Sequence, residues 1–170
     1  MTERAPLAAI LFRAGEPVDD IFAQLIALLP ARGATIGGVV QSPCGETVLA
    51  THIETGRQVD IMQNLGACSE GCRLDTGALA EAAGLLARSL AARPDLLIVS
   101  RFGRAEAEGG GFLAEIGEAA VLGQPTLIGV SAKHEALWRA YAQDFAETLP
   151  CALAPVLDWW EQVLAETKLA

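Results

Sequence analysis

The chain has 170 residues, 52% of them hydrophobic, and a formal net charge of −9 at neutral pH. This length fits one domain of ordinary size, and we expect residues 1–170 to form it. The negative charge argues against nucleic acid as a partner, because its phosphates need neutralisation by lysine and arginine. It also argues against an anionic membrane surface. It is compatible with a small anionic ligand, which a few placed arginines can bind locally.

The chain lacks the features of a membrane-inserted or secreted protein. No apolar stretch reaches the roughly 18 uncharged residues of a membrane span, and residues 1–6 lack the basic start of a signal peptide. We therefore expect no membrane insertion and a cytoplasmic location. Cys68 and Cys72 have a C-x-x-x-C spacing, unlike the C-x-x-C of redox and zinc motifs. We expect no metal there, and Cys44 is more typical of an inert small residue than of a nucleophile.

Short apolar runs alternate along the chain with stretches of helical periodicity. The predicted strands are Leu7–Phe12, Thr35–Gln41, Leu96–Val99 and Pro125–Val130, with a β-hairpin formed by Thr47–Ile53 and Arg57–Met62. The predicted helices are Val18–Leu29 with Pro17 in the first turn, Thr76–Ala92 with Asp75 as N-cap, Phe112–Leu122, Lys133–Phe145 and Val156–Thr167. Residues 150–155 are predicted to be irregular. This alternation predicts a three-layer α/β/α fold around a mostly parallel sheet, with the hairpin as its antiparallel exception.

Ligands of open α/β sheets bind beyond the carboxyl ends of the strands. The first loop of this kind is Arg13–Asp20, where a working phosphate loop reads G-x-x-x-x-G-K-[ST]. This loop has one glycine, Gly15, and no Lys, Ser or Thr. It is either a strand–helix connection with solvated acids, or a remodelled site in which Arg13 and the helix N-terminus attract an anion.

Three loops follow the carboxyl ends of predicted strands, after Phe12, Gln41 and Val99. The loop Ser100–Gly111 is the most informative of them. Its arginines, Arg101 and Arg104, are suited to gripping an oxyanion through their guanidinium groups. A run of three glycines, which includes Gly109 and Gly110, leaves backbone amides unobstructed. Alternatively, the acidic residues of the loop pair with these arginines and the loop is merely flexible.

Two further loops contribute candidate residues. Gln41 ends the second predicted strand, where it serves either as a structural hydrogen-bonding group or as a ligand contact. Arg73 lies in the loop before the helix that Asp75 caps, and it adds a positive charge.

Three segments resemble a bacterial family catalogued as domain of unknown function 2478. They are Gly37–Gln41, Gly71–Asp75 and Asp95–Gly109. The resemblance extends from the first strand to the region of Trp159. Members of that family are often associated with molybdate-transport genes, which implies molybdate or tungstate as a candidate ligand and a molybdate-transport component as a candidate partner.

The order of elements also resembles the small thermostable nucleoside-triphosphatases of the P-loop class. Their acidic Walker B segment, D-E-I-G-x-M-E, aligns with Ser100–Glu106, so that Ser100 and Arg101 replace the two leading acids. Only Gly103 and Glu106 are retained. Mg²⁺-dependent hydrolysis needs the phosphate-loop Lys, its Ser/Thr and a metal-binding Asp. Their absence argues against an enzyme.

The sequence therefore favours a protein that binds a phosphate-like oxyanion or a nucleotide in a degenerate P-loop cleft, with little or no hydrolysis and with a cofactor left undefined. The predicted ligand-binding residues are Arg13, Gly15, Gln41, Arg73, Asp75, Ser100, Arg101, Gly103, Arg104, Glu106, Gly109 and Gly110.

Two alternatives remain open. The first is a divergent triphosphatase that uses Glu106 or Asp75 as base or metal ligand. The second is a regulatory or assembly module in which Trp159 and Trp160 form a homo-oligomer contact or dock a transporter component.

Overall fold

A computed structural model describes residues 4–62 and 74–170. The strands are β1 Leu7–Phe12, β2 Ile36–Cys44, β3 Thr47–His52, β4 Gln58–Asp60, β5 Leu96–Phe102, β6 Thr126–Ser131 and β7 Ala146–Pro150. The helices are α1 Val18–Ala31, α2 Thr76–Ala91, α3 Arg104–Ala107, α4 Leu113–Val121, α5 Glu135–Ala142 and α6 Leu153–Leu169, with a 3₁₀ turn at Ala132–His134.

All seven strands of the described residues join one sheet, in the order β4-β3-β2-β5-β6-β1-β7. The five strands from β2 to β7 in this order pair in parallel, and β3 and β4 add an antiparallel extension beside β2. The predicted hairpin insertion is therefore confirmed, and β5 is the central strand of the sheet. Parallel strands joined by helices on both faces give the α/β architecture of the P-loop class.

Alternate residues of the strands face two hydrophobic clusters, as the period of two in a β-strand requires. Leu7 and Ala9 of β1 face the cluster that contains α2, α4 and α5. Ala8 and Ile10 face the cluster that contains α1 and α6. The sheet is thus covered on both faces, which is why its inner strands read as continuous apolar runs.

The tryptophans of α6 belong to the second cluster. Trp159 and Trp160 are buried within their own fold, and their indole N–H groups donate to the carbonyls of Ala5 and Asp95 at 3.1 and 3.4 Å. This burial weakens the expectation that they form a contact between subunits. Among the described residues, no helix has the length and hydrophobicity needed to cross a bilayer.

Several boundaries differ from the sequence-based predictions. Residues 150–155 were predicted to be irregular, but Pro150 ends β7 and α6 begins at Leu153 rather than at Val156. Strand β7 was not predicted, because it contributes a single fully buried side chain, Leu149, to the sheet edge. Strand β5 continues to Phe102, and the short helix α3 follows where an open loop was expected. Helix α5 ends at Ala142, because the positive φ of Gln143 stops it.

Strands β2 and β5 approach each other closely at Gly38. Its φ is +127°, and a Cβ there would collide with the carbonyl oxygen of Ile98. The Gly38 amide donates to Ser89 Oγ of α2 at 3.0 Å, and His52 Nε2 lies 3.0 Å from the same oxygen. This buried polar cluster fixes α2 and the hairpin to the strand that carries one wall of the site described below.

We predict that Gly38→Ala lowers the free energy of unfolding by about 3 kcal/mol, since it combines backbone strain with a clash against backbone. The matched control is Gly84→Ala in α2, where a Cβ meets no atom within 4 Å. That change is expected to leave stability unchanged or to raise it by up to about 1 kcal/mol. Urea denaturation measures both, and equal effects would contradict the prediction.

Candidate functional site

The sheet opens between β2 and β5 at their carboxyl ends. The last parallel pair is Val39 with Val99, and beyond it β2 pairs only with β3. The backbone amide of Gln41 donates to Ser100 Oγ at 2.6 Å. This hydrogen bond bridges the two strands at the point where their backbone pairing stops. A cleft of about 290 Å³ lies beyond this bridge.

The cleft has one polar wall and one apolar wall. Its polar side chains are Gln41, Ser42, Arg101, Arg104 and Glu106. Its remaining lining residues are Pro43, Val48, Ile61, Leu74, Leu79, Gly103 and Ala105. The apolar wall therefore comes largely from the hairpin extension and from α2, whereas the charges come from the end of β5 and from α3.

Arg101 connects this cleft with the loop after β1. Its Nη2 donates to Asp19 Oδ1 at 2.7 Å, and its Nη1 donates to the Ser100 carbonyl at 3.1 Å. Its guanidinium carbon lies 4.9 Å from the centre of the Phe12 ring, within the range of a cation–π contact. Because β6 lies between β5 and β1, the side chain extends over the end of β6.

Arg104 lies at the exposed rim of the cleft. Its Nε donates to Glu108 Oε1 at 2.9 Å, an i,i+4 pair across α3 in which both side chains are largely exposed. Exposed pairs of this kind contribute little to stability and exchange readily with solvent ions. The ion pair that was one interpretation of this loop is therefore present, and the Arg104 side chain in it is exposed at the rim of the cleft.

Glu106 organises the loop that carries the arginines. It is buried, and its two carboxylate oxygens accept from the Gly103 amide at 2.9 Å and the Phe112 amide at 3.0 Å. The carboxylate thereby caps α3 and fixes the start of α4. Gly111 is required beside it, because a Cβ at this residue, whose φ is +60°, would collide with Glu106 Oε1.

Three other predicted residues hold local structure. The amides of Gly109 and Gly110 donate to the carbonyls of Glu106 and Ala105 at 3.0 and 2.8 Å, which closes the end of α3. The Asp75 carboxylate accepts from the Ala78 amide at 3.0 Å and is the N-cap of α2, as its position predicted. None of the three lines the cleft.

The loop after β1 is compact and strongly acidic. The Arg13 amide donates to Glu16 Oε2 at 2.9 Å, the Glu16 amide donates to the Arg13 carbonyl at 3.1 Å, and Gly15 makes the turn between them. Asp19 and Asp20 follow in the first turn of α1. Burial, and then the charge of Glu16, raise the pKa of the nearby Cys151 thiol.

The structure thus separates the predicted site residues into two places. Gln41, Arg101, Gly103, Arg104 and Glu106 meet at the cleft, whereas Ser100 is not among its lining residues and contacts Gln41 from β5. Arg13 and Gly15 lie at the β1 loop, outside the cleft lining.

Some predicted residues and contacts fall elsewhere. Arg73, Cys68 and Cys72 lie outside the described residues. The apolar wall was not predicted, although the alternating apolar residues of the predicted hairpin indicate a buried face. Asp19 was not predicted as the partner of Arg101. Within residues 4–62 and 74–170, no three His, Cys, Asp or Glu side chains are grouped so that they could hold a metal ion.

The strand order and the loops at the carboxyl edge define a P-loop-like α/β protein in which the loop after β1 does not carry the G-x-x-x-x-G-K-[ST] motif. The chain belongs to the family described as "Protein of unknown function (DUF2478)", whose model matches residues 7–159.

The chain is also similar to the Molybdenum import ATP-binding protein ModC 2 of Bradyrhizobium diazoefficiens. The two are 32% identical over 168 residues, which cover 95% of this chain but 19% of that protein. The chain thus spans about a fifth of the length of this relative.

We predict that Glu106→Ala lowers the free energy of unfolding by about 2–3 kcal/mol, because two buried backbone amides lose a charged acceptor. Glu108→Ala is the control, since that side chain is exposed and holds only Arg104; it should cost less than about 0.5 kcal/mol. Thermal and urea denaturation of both variants test this. If Glu106→Ala is as stable as the control, the carboxylate does not have the capping role described here.

Proposed function

We propose that this protein binds a small phosphate-like oxyanion, with molybdate or tungstate as the candidate, in the cleft between β2 and β5, and that it does so with little or no hydrolysis. The observation that carries the proposal is the convergence of Arg101, Arg104, Gln41 and Ser42 on one cleft in a chain of net charge −9. We expect this role to belong to molybdenum uptake or homeostasis in the cytoplasm.

The hydrogen-bonding groups of the described lining residues suit an anion. The two guanidinium groups, the side-chain amide of Gln41 and the Ser42 hydroxyl carry N–H or O–H donors, and charge-assisted hydrogen bonds to oxyanions are roughly twice as strong as neutral ones. Among the described lining residues the one carboxylate is that of Glu106, and two backbone amides donate to its oxygens and partly offset its charge.

The size of the cleft favours a small ligand. A volume of about 290 Å³ is at the lower limit of the range for small-molecule sites, roughly 300–1,000 Å³. A nucleotide remains the alternative ligand, and the apolar wall formed by Val48, Ile61, Leu74 and Leu79 is the feature that favours it, since a base could pack there.

Hydrolysis lacks support in this arrangement. Aligned with the phosphate-loop motif, Asp19 stands at the position of the Lys and Asp20 at that of the Ser/Thr. Glu106 and Asp75, the candidate bases of a divergent triphosphatase, are used as caps of α3 and α2. We therefore place binding ahead of catalysis.

The link to molybdenum rests on the relatives. The Bradyrhizobium protein is named as an ATP-binding component of molybdenum import, and this chain matches a fifth of it. We infer that a segment of this type works beside import machinery in that protein, and that this chain has a related task.

We predict that calorimetry detects binding of molybdate or tungstate, and that Arg101→Gln weakens it roughly 10- to 100-fold, the effect of losing one charged hydrogen-bonding group. The control is Arg139→Gln, which removes the same charge from an exposed i,i+4 pair on α5. That variant should bind as the wild type does.

The ligand panel also includes sulfate, phosphate, ATP and GTP. Tighter binding of a nucleotide than of any inorganic anion would replace the oxyanion by the nucleotide alternative. No binding to any member of the panel, or equal losses in the two arginine variants, would refute the proposal.

A second candidate function is a regulatory module that docks on a transporter component. It is favoured by the match to part of a long import protein. Mixing the purified chain with a molybdenum-import ATP-binding subunit from the same genome, followed by light scattering, tests it. A complex that forms or dissociates with molybdate would join the two functions, and the absence of any complex would remove this one.

A further inference from the structure

The apolar wall of the cleft is continuous with the hydrophobic core on the α2 side of the sheet. Ile61 and Leu79 are buried members of the first hydrophobic cluster, and Val48, Leu74 and Ala105 pack against that cluster. The cleft is therefore an opening onto the core rather than a purely polar groove. Concave sites with a mainly apolar lining and a few polar groups are typical of sites for organic ligands.

The polar groups of the cleft lie next to this wall. Val39 of β2 belongs to the first cluster, so the period of two in a strand places the Gln41 side chain on the same face of the sheet as Leu79. Ser42 is exposed at the mouth of the cleft, and Arg104 lies at its rim. A ligand that enters the cleft thus meets hydrogen-bonding groups and an apolar surface together.

The cleft is larger than a tetrahedral oxyanion needs. Its volume is about 290 Å³, whereas such an anion fills the space of two or three waters, roughly 60–90 Å³ in total. A bare anion also loses hydration against apolar side chains and gains no hydrogen bond from them, which is costly. A free oxyanion therefore leaves the apolar part of the cleft unused.

We propose that the apolar wall is a second subsite, which takes the apolar body of an organic oxyanion about the size of one aromatic ring. This inference rests on the function proposed above and names the class of ligand that the cleft prefers. The oxyanion group lies toward Gln41, Ser42 and Arg104, and the ring packs on the side chains of the wall.

Two valines of neighbouring strands supply matched variants. Val48 of β3 lines the cleft and packs against the first cluster, whereas Val40 of β2 packs against the second cluster and is not among the lining residues. Both side chains are half-buried. Threonine has the shape of valine and a similar preference for strands, but it replaces a methyl group by a hydroxyl. Val48→Thr and Val40→Thr therefore make the same chemical change on opposite faces of the sheet.

The test compares methyl phosphate with phenyl phosphate by calorimetry at about pH 8, where both are dianions because the second pKa of a phosphate monoester is about 6. We expect the wild type to bind phenyl phosphate roughly 10- to 30-fold more tightly, since the ring loses contact with water. Val48→Thr should lower this ratio roughly three- to fivefold without changing the affinity for methyl phosphate, and Val40→Thr should keep the ratio.

The possible failures are distinct. Equal binding of the two phosphates by the wild type, or equal ratios in the two valine variants, would overturn the apolar subsite and leave oxyanion binding intact. Binding of phenyl phosphate without binding of any inorganic anion would support the subsite and overturn the free oxyanion as the ligand. If neither phosphate nor tungstate binds, both the subsite and the oxyanion-binding function are wrong.

Discussion

The short parallel contact between β2 and β5 determines most of what lies at the candidate site. The two strands pair only over Ile36–Val39, and beyond this point β2 is paired with the hairpin extension on its other edge. A cleft opens at that point, where Ser100 bridges β5 to β2, and the hairpin extension contributes apolar lining residues. The hairpin extension therefore contributes to the lining of this cleft, which β6 separates from β1.

The arginines that line this cleft come from the end of β5 and from α3. In a working phosphate loop, backbone amides and a lysine surround the phosphates after β1. Here that loop is acidic and closed on itself, and Arg101 crosses from β5 to neutralise Asp19. Two of the arginines, Arg101 and Arg104, thus stand at and after the end of β5, beside the cleft. The loop after β5 keeps its shape because the buried Glu106 replaces solvent for two backbone amides.

Much of the fold could be predicted from local pattern. The apolar runs of β1 and β5 and the capping aspartate Asp75 are signals carried by a few neighbouring residues, and they are observed where they were expected. Strand β7 was missed because an edge strand needs only one buried face, and a single Leu149 does not make a pattern.

The site was predictable only in part, for a different reason. Sequence identified Arg101, Arg104 and Gln41 as chemistry-bearing residues at strand ends, but their partners depend on side-chain direction across the sheet. The pairing of Arg101 with Asp19, and the engagement of both Glu106 oxygens by backbone, have no local signature. The glycines before α4 were expected to bind an anion, whereas the structure uses Gly109 and Gly110 to close α3.

The central claim is that the anion site lies between β2 and β5 rather than at the loop after β1. A crystal structure of the protein soaked with tungstate, read from the anomalous scattering of tungsten, tests this most directly. The account predicts a peak within hydrogen-bonding distance of the Arg101 guanidinium, on the cleft side, in contact with Gln41 or Ser42. A peak at the N-terminus of α1, against the amides of residues 18–20, would contradict it.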